Sequence, residues 1–268
     1  MNTCELKAFA SKIRRVTCDM VLYRGDGHIG GALSMSDALA VLFGNYMKEE
    51  DWFVLSKGHA GPAYYAVLML TGRLDQKHIH TLNENGTLLP SHPDRMKTHG
   101  VQVTTGYLGQ GISQAAGIAY ALKTMKREGN VFCMVGDGEC NEGEVFEALQ
   151  FIANKRLNNC IVMVDCNKKQ VDGLLRKVSC DFDFPALLQS IGFHVCEVDG
   201  NAVEAVNGKL SECIKRKEQA SALLLNTVKG AGIPYFEQQE NPHHVTFNEA
   251  DKQALQDYIN LTGKELNT

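Results

Sequence analysis

Two short runs of sequence, apolar at every position, constrain this chain more than any other feature. Val131-Phe-Cys-Met-Val135 and Cys160-Ile-Val-Met-Val164 contain no polar residue, and residues 193–198 and 222–228 repeat the pattern less strictly. A strand with one wet face alternates apolar and polar side chains; a strand without that alternation is covered on both faces. Helix-periodic stretches separate the runs, at about 144–154 and 202–219. Strand, helix, strand in succession gives a parallel sheet, because a parallel crossover needs a dozen or more residues to return. The predicted fold class is therefore α/β, a parallel β-sheet with helices on both faces. No linker, repeat or shift in composition interrupts the chain, so residues 1–268 read as one domain.

Upstream of the sheet the period is helical. Leu6, Phe9, Ile13, Val16 and Met20 recur at spacings of three and four, which predicts a helix over 5–24. Ser34 or Ser36, with Asp37, is expected to cap a second helix carrying Leu39, Leu42, Phe43 and Tyr46. A third is expected from Pro62 to Leu70, a fourth from Gln110 to Lys126 and a tail helix near 248–261, with loops over 75–107. Gly25-Asp-Gly27-His-Ile-Gly30 satisfies the dinucleotide fingerprint G-x-G-x-x-G. That fingerprint works only where a strand delivers the glycine turn to a helix. Here a helix precedes it, so the match is rejected.

Charge excludes other classes. The chain has 27 Lys and Arg against 31 Asp and Glu, a net charge of −4. This is not the footprint of a nucleic-acid binder. No apolar run approaches the roughly 20 residues that cross a bilayer, and no signal-like block opens the sequence, so no membrane role and a cytoplasmic location are expected. Nine cysteines occur without a C-x-x-C pair. They read as reduced packing residues, which argues against a disulfide framework or zinc.

The chemistry concentrates at two predicted strand ends. Gly136-Asp137-Gly138 follows the first apolar run, and Asp165-Cys-Asn167 follows the next. One helix joins these strands, so both carboxyl ends lie on the sheet edge outside which ligands of open α/β sheets bind. Asp137 offers a carboxylate, Asn167 an amide oxygen and Lys169 a backbone carbonyl, an oxygen set suited to Mg²⁺ or Ca²⁺. Gly136 and Gly138 are expected to let the backbone approach a diphosphate, with their N–H groups turned to the anion.

Gly-Asp-Gly followed about thirty residues later by Asn resembles the signature of thiamine-diphosphate enzymes. Gly27-His-Ile-Gly-Gly31, Leu55-Ser-Lys-Gly-His-Ala60, Ser91-His-Pro-Asp94 and Thr104-Thr-Gly-Tyr-Leu-Gly-Gln-Gly111 are similar, in order, to the transketolase N-terminal domain. The resemblance implies a thiamine-diphosphate-binding fold and transfer of a two-carbon ketol unit from a ketose phosphate to an aldose phosphate. It also implies that Asp137, Asn167 and the Lys169 carbonyl hold Mg²⁺ against the diphosphate. His28, His59 and His92 then line the path to the reactive carbon, and the fourth histidine is His243 or His244, with His243 assigned. His59, Gly106 and Leu108 should touch the cofactor. Glu142 looks like a family glutamate of the carboxylate network between cofactor sites. Tyr107 stands where a smaller residue or proline is usual, read as rim packing or a narrowed channel. His78, His80, His99 and His194 are read as ordinary surface or core histidines.

The resemblance further implies a missing half. A full transketolase adds a second α/β domain that binds the aminopyrimidine and the substrate phosphate. This sequence resembles the N-terminal subunit of a split transketolase, which joins a separate C-terminal subunit in an α2β2 heterotetramer. Two alternatives are kept: a related synthase, such as one making deoxyxylulose phosphate, and a non-catalytic binding or regulatory paralogue.

Overall fold

The computed structural model describes residues 1–265. Five strands make the central sheet: β1 (Trp52–Leu55), β2 (Val131–Gly136), β3 (Cys160–Cys166), β4 (His194–Asp199) and β5 (Ser221–Asn226). Their order is β1-β2-β3-β5-β4 and every pairing is parallel. The register sets Val131 opposite Cys160 and Gly136 opposite Asp165, so the two predicted ligand-bearing strands end side by side.

Helices cover both faces, as the unbroken apolar runs require. Phe132, Met134, Ile161, Met163, Leu223 and Leu225 point to one core, shared with α1 (Thr3–Arg24), α3 (Ser36–Val41), α4 (Gly61–Leu70) and α8 (Val203–Lys215). The alternate residues Val131, Cys133, Val135, Val162, Val164 and Leu224 point to the other, under α5 (Gln110–Thr124), α6 (Gly143–Asn154) and α7 (Phe184–Ser190). The tail helix α9 (Glu249–Glu265) lies against α1.

The long α1 is set at both ends. The Asn2 side chain accepts the Glu5 N–H while the Glu5 carboxylate accepts the Asn2 N–H, a reciprocal cap that contributes about 1 kcal/mol. Gly25 ends the helix at φ 86°, a left-handed conformation that glycine adopts without strain. The first glycine of the false fingerprint is thus a helix stop.

The second helix differs from expectation. It starts earlier, as α2 (Gly30–Ser34), and continues through α3 into a π-helical turn, Leu42–Tyr46. Ser34, Ser36 and Asp37 cap nothing, because each has a stronger partner. The Ser34 hydroxyl donates to Asp165, Ser36 donates to the Ala32 carbonyl, and Asp37 is buried in an ion pair with Arg14. The edge strand β1 lies outside the apolar runs that mark strands in the sequence.

Two connections fix the mouth of the sheet's carboxyl edge. Residues 26–27 pair antiparallel with 245–246, joining the segment before His28 to the segment after His244. Gly30 donates its N–H to the Pro242 carbonyl at 2.8 Å, and its own carbonyl accepts the Gly230 N–H at 3.0 Å. A Cβ on Gly30 would stand 2.2 Å from that Pro242 oxygen, so the close approach requires glycine there.

Candidate active site

A cavity opens outside the carboxyl ends of β2 and β3. His28, His59, His92, His243, Gly106, Leu108, Gly136, Asp137, Gly138, Asn167 and Lys169 all line it, so the structure collects nearly every residue singled out in the sequence. Glu142 is the exception. It sits exposed at the start of α6, and the cavity-facing carboxylate of that segment is Glu139. A single 3₁₀ turn over Glu139–Asn141 separates them, turning one acid inward and the other out.

The floor is built on strand ends. Asp165 is fully buried, yet every hydrogen bond to its carboxylate favours its charge. It pairs with the Lys57 ammonium and accepts from Ser34 (2.7 Å), Asn167 (3.0 Å) and Thr227. Burial pushes this carboxyl up, but Lys57 and the hydrogen bonds outweigh it and hold it below the usual carboxylate range. Asp137 shows the reverse. Burial first, then the charge of Asp165, pushes its carboxyl up to about 6 against the N–H groups of Lys168 and Gly138 that donate to it. It is a buried carboxylate short of positive charge.

The remaining oxygens suit the same need. The Asn167 side-chain oxygen accepts the Lys169 N–H at 3.1 Å, and the Lys169 carbonyl accepts the Lys229 ammonium at 3.1 Å. An ammonium already sits on one of the oxygens expected to ligate a cation. Lys168, between these residues, is held at φ 61°, a left-handed conformation uncommon outside glycine and asparagine. Carboxylate, amide and carbonyl oxygens around a charge deficit fit a hard divalent ion.

One expectation about this floor fails. The Gly136 N–H donates to Glu139 (3.0 Å) and the Gly138 N–H donates to Asp137 (2.8 Å), so neither is turned free toward an anion. These turn donors satisfy nearby carboxylates instead. Glu139 also accepts from Ser56 and from the Gly109 N–H at 2.9 Å, tying three cavity loops to one carboxylate. Neither the Lys57–Asp165 pair nor this role of Glu139 follows from the sequence motifs. The available signal was that Lys57 and Asp165 fall inside motifs already quoted and that Glu139 directly follows Gly138.

The wall is imidazole. The His28 ring lies 5.7 Å from His59, 6.0 Å from His92, 5.4 Å from His243 and 4.6 Å from His244, centroid to centroid. His59 and His243 are 4.7 Å apart. His243 lines the cavity, whereas His244 lies in a separate crevice with Arg24, Asp26 and Ser91. Burial, followed by His244, His92 and Lys229, lowers His28 to about 4. Burial and Lys229 lower His243 to about 3, and burial lowers both His59 and His92. All four rings are therefore neutral near pH 7. Lys229, itself brought down to about 8 by burial and by Lys57, donates to His243 Nδ1 at 3.0 Å. An ammonium has only donors, so Nδ1 accepts and the His243 proton is on Nε2.

The opposite rim comes from the Thr104–Gly111 segment. The Thr105 hydroxyl holds it to the Leu55 carbonyl at 2.7 Å, and Gly106 lies against His92. Tyr107 is 80 % exposed and does not line the cavity, so it does not narrow the channel within this chain.

The chain is similar to known proteins in sequence and in fold. The chain is 36% identical over 254 residues to the 6-deoxy-6-sulfo-D-fructose transketolase subunit SqwG of Clostridium sp. (strain MSTE9), covering 91% of this chain and 92% of that one. It is 32% identical over 227 residues to an apulose-4-phosphate transketolase subunit from Actinobacillus succinogenes, covering 81% and 82%. Transketolase from Campylobacter jejuni superposes with a TM-score of 0.89 at 26% identity, over 97% of this chain but 43% of the larger one. Residues 6–265 match the family described as transketolase, thiamine diphosphate binding domain, and the chain belongs to that family.

Proposed function

We propose that this chain is the diphosphate-binding subunit of a two-part transketolase, active with a separate C-terminal subunit in an α2β2 assembly. Residues 1–268 form its one domain and the subunit works in the cytoplasm, a reading that suits nine unpaired cysteines. Among the described residues no helix is long and apolar enough to cross a membrane. The observation that carries the reading is one cavity with a charge-deficient oxygen floor and a neutral imidazole wall.

Asp137, Asn167 and the Lys169 carbonyl would hold Mg²⁺, or Ca²⁺, against the diphosphate of thiamine diphosphate. Lys229, which donates to the Lys169 carbonyl, would have to release that oxygen for it to serve as a ligand, and could then donate to the diphosphate. Bound thiamine diphosphate supplies a nucleophilic carbon that also accepts the electron pair of a breaking carbon–carbon bond. The chain's own residues do the rest. His28, neutral and touching four other rings, takes the proton from the substrate C3 hydroxyl as the C2–C3 bond opens, and returns it to the incoming aldehyde oxygen. The Nε2–H of His243 donates to a substrate oxygen, while His59 and His92 flank it. Glu142, exposed at the head of α6, is available to a carboxylate network with the partner.

The substrate class proposed is a ketose with an anionic terminus. The two subunit relatives are named for a sulfonated ketose and a ketose phosphate. Among the described residues the basic side chains lining this cavity are Lys57, Lys169 and Lys229, each already hydrogen-bonded within the chain, so the terminal anion would be met by the partner.

Reconstitution tests the proposal. The purified chain should transfer no ketol unit by itself; adding its partner subunit with thiamine diphosphate and Mg²⁺ should restore transfer from xylulose 5-phosphate, apulose 4-phosphate or 6-deoxy-6-sulfofructose. Full turnover by the chain alone would refute the split. Full activity of an Asp137→Ala complex would instead mark a scaffold subunit.

A further inference from the structure

A second cluster of metal-ligating side chains stands at the far end of the sheet, away from the cofactor cavity. His194 and Cys196 are alternate residues of the edge strand β4 and project to the same side. Glu212 reaches them from α8, which lies along β4. His194 Nε2 is 3.0 Å from Glu212 Oε1 and 3.3 Å from Cys196 Sγ, and one donor atom from each residue falls within 4.8 Å of the others. Cys196 is buried, His194 and Glu212 partly so.

The distances can be compared with those a metal imposes. Tetrahedral bonds of about 2.05 Å to nitrogen or oxygen and about 2.3 Å to sulfur separate ligand atoms by about 3.3–3.6 Å. The observed 3.0 and 3.3 Å need to open by only a few tenths of an ångström. The donor types narrow the ion. Sulfur and imidazole nitrogen exclude Mg²⁺ and Ca²⁺, and a set of one nitrogen, one sulfur and one oxygen suits Zn²⁺ with water at the fourth position. A thiolate and a carboxylate also balance two positive charges.

Neighbouring residues accommodate this. Lys209 holds the other Glu212 oxygen at 2.9 Å, which aims Oε1 inward as an outer partner does. Arg216 approaches His194 Nδ1 at 3.5 Å, and its side chain is 41% exposed. On metal binding the ring proton moves to Nδ1, Arg216 turns to water, and Cys196 releases its thiol proton to solvent.

We propose that His194, Cys196 and Glu212 bind Zn²⁺, fastening the sheet's edge strand to α8 independently of the catalytic ion. Cobalt is the probe. Titrating the full-length chain with Co²⁺ should give a thiolate-to-cobalt charge-transfer band and tetrahedral visible bands at one equivalent, displaced by one equivalent of Zn²⁺. Oxygen ligands at Asp137 cannot produce the thiolate band. Cys196→Ser should abolish it and Cys180→Ser should leave it. Glu212→Gln, a change at a partly exposed position that leaves the core untouched, should weaken Zn²⁺ by more than the roughly 10–100-fold that outer-partner changes cost. Three results would overturn the proposal: no charge-transfer band at equimolar Co²⁺, a band that survives Cys196→Ser, or unchanged affinity in Glu212→Gln.

Discussion

At the cavity floor, acids arrive on the ends of adjacent parallel strands; across from them, imidazoles arrive on loops from four separate parts of the chain. Burial acts on both and produces opposite results. At the floor charge is kept, in Asp165 by a paired lysine and three further donors, and in Asp137 at the cost of a carboxyl raised to about 6. At the wall charge is expelled, and neutral rings remain near three lysines. A binding end needs fixed charge and a stiff scaffold. A proton-handling end needs groups that can accept, and neutral imidazoles do so.

The largest test of that contrast is at the wall. His28→Ala in the reconstituted complex should lower kcat by on the order of 10²–10⁴-fold, with cofactor affinity nearly unchanged. A loss confined to cofactor binding, seen by calorimetry, would erase the division of labour. Next, Lys57→Met leaves the Asp165 carboxylate buried without its cation and should cost about 3–5 kcal/mol in a urea titration. A loss well under 1 kcal/mol would mean that the floor does not rely on the pair.

Asp137→Asn sharpens the comparison within the floor. Magnesium and thiamine diphosphate should bind on the order of 10–100-fold more weakly, while the metal-free chain keeps or gains stability, because folding opposes this carboxylate's ionised form. Thermal melts with and without the cofactor separate the two effects.

The smallest effect is in pH. His28 is depressed to about 4 in the fold and rises to about 6.5 when unfolded, so the unfolded chain takes the proton first. Stability is therefore complete above about pH 6.5 and lost as pH falls toward 4, by at most about 1.4 kcal/mol per pH unit from this ring. His28→Asn should flatten that slope between pH 7 and 5; an unchanged slope would show the ring is not held neutral.

The sheet was readable because strands covered on both faces leave unbroken apolar runs, as at 131–135 and 160–164. β1 was not, since four residues with a neighbour on one side leave little pattern. Most site residues were legible as motifs, but their partners were not. Lys57 and Asp165 meet across 108 positions, and no local spacing encodes that contact. Glu139 and Glu142 lie one short turn apart, so only the turn's geometry decides which faces inward. His194, Cys196 and Glu212 escaped because their spacing follows the strand and the helix that carry them rather than a compact motif.

The short ladder between residues 26–27 and 245–246, with the Gly30–Pro242 bond beside it, has a consequence for biosynthesis. The first histidine of the wall cannot meet its last until the chain through residue 246 has left the ribosome. A prematurely terminated product could build its sheet and still offer the coenzyme an open trough. Competence to bind would thus report that translation had passed residue 246.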